Sequence, residues 1–117
     1  MIVKNGEGKK LPPHEKNGKK AYGEILAYGG EIMFTTFNFE KGSAVPLHTH
    51  PHEQLTYIVK GKLKFQKKDK EIIVSEGDSI YFAPNEPHGV IEALEESKVL
   101  DAFHPQREDF LEKLGLK

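Results

Sequence analysis

The run His48-Thr49-His50-Pro51-His52-Glu53-Gln54 puts three of the chain's six histidines within five residues, and another, His88, stands between Pro87 and Gly89. In a β-strand, side chains two apart share a face and lie ~6.5–7 Å apart along the chain. A metal–nitrogen bond is only ~2.0–2.1 Å, so converging imidazoles at 48 and 50 reach one ion. His48 and His50 thus form half of a cage, and His88, from a distant strand, completes it. Histidine clusters are also common in solvated loops, so the metal reading depends on what frames these residues. The chain has no cysteine, which removes thiolate ligands, thiol nucleophiles and disulfides together.

A second group stands near the end, in Asp101-Ala102-Phe103-His104-Pro105-Gln106-Arg107. In a strand Asp101 and Phe103 share a face, so an inward Phe103 carries Asp101 inward with it. A buried carboxylate is costly without a partner or a task, and a metal or Arg107 would supply the partner. Arg107 is the only arginine among seventeen basic residues. Its planar five-donor fork grips a carboxylate in a way that lysine cannot. Each taken alone has a plainer reading: a surface arginine at a helix start, a turn aspartate and a core phenylalanine.

The elements that position these groups are β-strands. Alternation and turn residues predict strands over Tyr22–Tyr28, Glu31–Phe39, Leu55–Val59, Leu63–Gln66, Glu71–Ser75, Ser79–Ala83, Gly89–Ala93 and Lys98–Phe103. Short strands with regular turn signals predict an all-β antiparallel barrel or jelly roll. From Arg107 to Leu116 the period changes, with Phe110, Leu111 and Leu114 on one face and Gly115 as a stop, predicting a short C-terminal helix. Residues 1–20, rich in Lys, Gly and Pro, read as an N-terminal arm, with residues 21–117 as the domain; His14 in the arm reads as a surface residue.

At 117 residues, 37% hydrophobic and 30% charged, the chain reads as one globular domain. A net charge of −1 gives no field for nucleic acid. No apolar run has the ~18 residues of a membrane span or the pattern of a signal peptide, so the cytoplasm is the expected compartment.

The framing glycines carry a family resemblance. Gly42 precedes His48 by six residues, Gly61 follows Gln54 by seven, and Gly77-Asp78 opens a second block closing at Pro87-His88. This resembles the two blocks of the cupin superfamily, where a carboxylate usually follows His-x-His after a spacer of three or four residues. Here Gln54 occupies that place and reads as a fourth ligand through its amide oxygen. Glu53 is aimed at the opposite face, and His52 competes because Pro51 disturbs the alternation. Three neutral imidazoles and a neutral amide leave an ion's +2 charge uncompensated, which favours anionic ligands in its open positions.

Within that superfamily, the segments His48–Gln54, Gly77–Tyr81, Pro87–Val90 and Asp101–Leu111 resemble the KdgF family of small pectin-degradation cupins. The resemblance implies a one-domain cupin jelly-roll barrel, usually a homodimer. It implies conversion of 4,5-unsaturated uronate monomers to linear keto sugars, with a small carboxylated sugar as partner. It places metal ligands on His48, His50, Gln54 and His88, and catalytic roles on Asp101, Phe103 and Arg107. One divalent ion is expected, with Ni, Zn, Mn and Fe all compatible with the donor set. Two other classes share parts of the pattern: a metal-dependent dioxygenase or polyketide-cyclase-like cupin, and a non-catalytic small-molecule-binding cupin.

Overall fold

A computed structural model describes all 117 residues. The strands are β1 (Lys9–Lys10), β2 (His14–Lys16), β3 (Lys19–Gly29), β4 (Ile32–Phe39), β5 (Val45–His48), β6 (Glu53–Lys60), β7 (Lys62–Lys67), β8 (Lys70–Ser75), β9 (Ser79–Phe82), β10 (His88–Ala93) and β11 (Ser97–His104), followed by helix α1 (Glu108–Lys113). They form a seven-stranded sheet in the order β1-β3-β4-β11-β6-β9, with β2 also on β3, and a four-stranded sheet in the order β5-β10-β7-β8. Every strand pair is antiparallel, and the all-β jelly roll is the architecture the sequence predicts.

Alternation sets what faces inward. On β11, Ser97, Val99, Asp101 and Phe103 are buried, and on β6 Gln54, Thr56 and Ile58 are buried while Glu53, Leu55 and Tyr57 are exposed. The main core, which includes Ile58, Leu63, Phe65, Phe82 and Val99, fills the space between the sheets. Burying each of its larger side chains contributes about 1.5–3 kcal/mol. A second cluster of Leu11, Ile25, Met33, Phe103, Phe110 and Leu111 seals α1 onto the barrel. The helix ends at the predicted stop, with Gly115 at φ +69°.

All eight predicted strands are present, and three more appear. β5 was not anticipated because Pro46 lies inside it, and proline cannot donate to a ladder. It survives as an edge strand, paired only with β10. β1 and β2 fall in the stretch read as an arm. Asn17 and Gly18, both at positive φ, make the tight turn that folds β2 back on β3, and Leu11 is buried against the second cluster. These strands lack the alternation that signals a strand, because they lie exposed along the edge of the large sheet.

Two glycines are required by close approach. A Cβ at Gly61, where φ is +93°, would lie 2.1 Å from the Ser97 hydroxyl, so only glycine makes the turn from β6 to β7. A Cβ at Gly89 would lie 2.9 Å from the Val45 carbonyl oxygen and 3.0 Å from the Leu47 nitrogen. Gly89 therefore lets β5 sit against β10, which sets His48 opposite His88.

Candidate metal centre and cavity

His48 ends β5, His88 begins β10, and Gln54 and Asp101 point inward from the neighbouring strands β6 and β11. His50 lies beyond the end of β5, so the pair is not held by one regular strand as the spacing suggested. The loop does the same work: the His50 carbonyl accepts the Asn85 N–H at 2.8 Å, and its ring turns back toward His48, with 5.7 Å between centroids. The His88 ring lies 4.5 Å from that of His48 and 4.8 Å from that of His50. The ligand atoms of His48, His50 and His88 lie within 4.8 Å of one another, a group able to hold a metal ion.

Hydrogen bonding fixes which nitrogen each ring offers. The Nδ1–H of His48 donates to the Pro46 carbonyl at 2.8 Å, that of His50 to the His52 carbonyl at 3.2 Å, and that of His88 to the Glu86 carbonyl at 2.8 Å. Backbone carbonyls only accept, so each proton sits on Nδ1 and Nε2 keeps its lone pair. Burial lowers all three imidazoles below their ordinary range, His50 and His88 to about 4. They are therefore neutral near pH 7. The Gln54 Oε1 lies 2.9 Å from His50 Nε2 and 3.1 Å from His88 Nε2. Lone pairs thus meet lone pairs with no proton to share, and a cation resolves this arrangement. The donor set fits a divalent transition metal.

The supporting contacts are specific. Glu86, buried in the turn before β10, accepts from the Ala83 N–H at 2.9 Å and from the Lys67 ammonium at 2.5 Å, which fixes the carbonyl that orients His88. Phe82 stacks on the His88 ring at 4.3 Å. His52, the competitor to Gln54, is buried but lies outside the converging group, and its Nδ1 has no partner. Glu53 faces the other side of the sheet, where it accepts from the Tyr81 hydroxyl at 2.7 Å.

Asp101 is inward and 4% exposed. Its neighbours across the strands are Thr35 on β4 and Thr56 on β6. Burial pushes its carboxyl up to about 6, against the downward pull of hydrogen bonds from Thr56 and Gln54 and of the Arg107 charge. Thr56 donates to Asp101 Oδ1 at 2.6 Å, and Gln54 Nε2 lies 3.3 Å from the same oxygen.

Arg107 is buried at the N-terminus of α1, but its partner is not Asp101. Its Nε and Nη2 donate to the two oxygens of Asp109 at 3.0 and 2.9 Å. The closeness of Asp109, two residues on, explains this closed fork. The guanidinium also lies over Phe110, 3.9 Å from its centroid, and over Phe103 at 4.9 Å. His48, Gln54, His88, Asp101, Phe103, Arg107 and Asp109 line one cavity of about 350 Å³ whose remaining wall includes Phe37, Phe39 and Val99. His14 and Lys113 also line it, so the N-terminal segment reaches the site. Sequence reasoning missed Thr35, Thr56, Asp109 and Lys113. Only Asp109 had a readable signal, an acid two residues after an arginine at a helix start.

The barrel with a histidine group at its inner wall defines the class: the chain belongs to the cupin family, and residues 35–103 match the cupin domain. Among its relatives, the pectin degradation protein KdgF of Dickeya dadantii (strain 3937) is 31% identical over 100 residues, covering 85% of this chain and 91% of that protein. An RmlC-like cupin from Shewanella frigidimarina NCIMB 400 superposes with a TM-score of 0.80 at 26% identity, covering 93% of this chain and 94% of the other. KdgF from Halomonas sp. superposes with a TM-score of 0.75 at 24% identity, covering 93% and 96%.

Proposed function

We propose that this cupin is a metal-dependent enzyme that opens 4,5-unsaturated uronate monomers to linear keto sugars. The observation that carries it is a buried carboxyl, Asp101, sharing one cavity with Gln54 and two of the three histidines. The 31% identity to the pectin degradation protein supports the substrate class. His48, His50, His88 and the Gln54 amide oxygen would hold the ion, which when bound supplies polarisation and orientation of substrate oxygens.

The overall change is an isomerisation. The C1 hydroxyl loses its proton as the bond from C1 to the ring oxygen breaks, and a proton returns at the ring oxygen and finally at C4. Asp101 carries that proton, since it is the buried carboxyl of the cavity and burial favours its protonated form. Phe103 holds the apolar face of the ring. The substrate carboxylate meets the Arg107 donors that Asp109 leaves free, together with Lys113, which has no acidic partner.

The test is the loss of ultraviolet absorbance of a 4,5-unsaturated uronate monomer under anaerobic conditions, with Ni, Zn, Mn or Fe loaded in turn. Decay faster than the spontaneous reaction is expected with at least one metal. No acceleration with any of them overturns the substrate assignment, and acceleration only in oxygen favours a dioxygenase.

The same reading includes a homodimer in the cytoplasm. Met1 and Ile2 are 74% and 87% exposed, so the first residues are available to a partner. On the outer face of the large sheet, Phe34, Ala102, Leu55 and Tyr81 form one row across β4, β11, β6 and β9. Glu53 lies at one end of this face and Lys98 at the other. A two-fold axis along the row sets each acidic end against the partner's lysine end. Light scattering is expected to give twice the chain mass of 13.2 kDa; a value near the chain mass at micromolar protein rules the dimer out.

A further inference from the structure

We infer that Thr56 is a positioning residue whose hydroxyl locks the Gln54 amide with its oxygen toward the three histidines. This rests on the metal-binding reading above and assigns a role to a side chain outside the ligand set.

Three residues on the inner face of β6 and β11 form a closed set of contacts. Thr56 Oγ1 lies 2.6 Å from Asp101 Oδ1, Gln54 Nε2 lies 2.9 Å from Thr56 Oγ1, and Gln54 Nε2 lies 3.3 Å from Asp101 Oδ1. Thr56 is 1% exposed and Gln54 7%, so water does not substitute for these partners. A hydroxyl has one proton, and the short contact commits it to Asp101. The Thr56 oxygen is then left with lone pairs only. It accepts one amide proton of Gln54, and Asp101 accepts the other. Both amide protons are used on the Asp101 side, so Oε1 must face His50 and His88.

Without this clamp the amide has a competing orientation. Turned over, its NH₂ would donate to the bare Nε2 atoms of His50 and His88, satisfying them without a metal. Thr56 and Asp101 together make that rotamer costly, because it would set Oε1 against two oxygens. The same accounting explains an amide where a carboxylate is usual: a glutamate at position 54 has no proton to give Thr56 or Asp101. Gln54 is thus two-faced, an acceptor toward the ion and a donor toward Asp101.

Thr56→Val keeps the shape and removes the hydroxyl, whereas Thr56→Ser keeps the hydroxyl. Zn²⁺ affinity of untagged protein, read by competition with a chromophoric chelator, is expected to fall roughly 10–100-fold for Thr56→Val and to stay near wild type for Thr56→Ser. Thr56→Ala replaces the valine variant if the latter does not fold. The Gln54 side-chain amide resonances of the metal-free protein give a second readout: slow proton exchange in wild type and Thr56→Ser, fast exchange in Thr56→Val. Equal Zn²⁺ affinity in folded Thr56→Val and wild type overturns the inference, as does a serine variant as weak as the valine one. If wild type binds no Zn²⁺, the metal reading falls, and the amide exchange alone decides whether Thr56 restrains Gln54.

Discussion

Asp101→Asn is expected to keep the metal and the fold while losing about 10²–10⁴-fold in turnover, the range of a general acid–base group. Both hydrogen bonds into this carboxyl, from Thr56 and Gln54, end on Oδ1. An asparagine oxygen accepts both, and Thr35 stands directly across on β4. The variant therefore removes the ionisable proton and little else. The same change should also stabilise the metal-free protein. The folded carboxyl titrates at about 6 and the ordinary one at 3.8, so the folded state holds its proton more tightly. Stability is then undiminished at acid pH and declines as pH rises through that window, by about 2–3 kcal/mol when complete. Urea unfolding should find Asp101→Asn more stable than wild type at about pH 8, with the gap closed at about pH 4. A variant with full turnover removes Asp101 from the chemistry; an equal gap at both pH values removes the burial penalty as its cause.

Replacing His48 and His50 together by alanine is expected to take metal content from one ion per chain to none. It is also expected to abolish the thermal stabilisation that added metal gives wild type. Three ring nitrogens without protons cannot be replaced by water held in the same geometry, and the remaining His88 and Gln54 make a weak pair. An ion present at 100 times its dissociation constant stabilises by about 2.7 kcal/mol, a shift readily seen in a melting curve. Elemental analysis of untagged protein gives the stoichiometry. Unchanged metal in the double variant would move the ion to other ligands, and His52, with an unpartnered Nδ1, would be the first to examine.

How far the sequence carried these conclusions differs between elements. The eight predicted strands from Tyr22 to Phe103 were legible because each buries one face and is bounded by glycine, lysine or proline turns. β5 was hidden by Pro46, and β1 and β2 by their lack of a buried face. In the site, spacing pointed to His48 and His50, the flanking Pro87 and Gly89 to His88, and the cupin frame to Gln54, because such side chains in such frames are chemically conspicuous. Thr56 and Thr35 were invisible for the opposite reason. Threonine is an ordinary strand former, and nothing in its position along β4 or β6 distinguishes a hydroxyl that orients a ligand from one that only fills space. The closed fork of Arg107 was misread because the strand argument looked back to Asp101, whereas the nearer acid lay ahead in the helix.

Gly89 has no side chain to offer a ligand, yet its backbone forms part of the cavity wall. The imidazoles at positions 48 and 88 are brought together because a methyl group is missing between the backbones that carry them. The geometry of the histidine group thus depends on an absence as well as on the histidines. Among related barrels, a chain with every histidine in place and a larger residue at this position would have the letters of the site without its geometry.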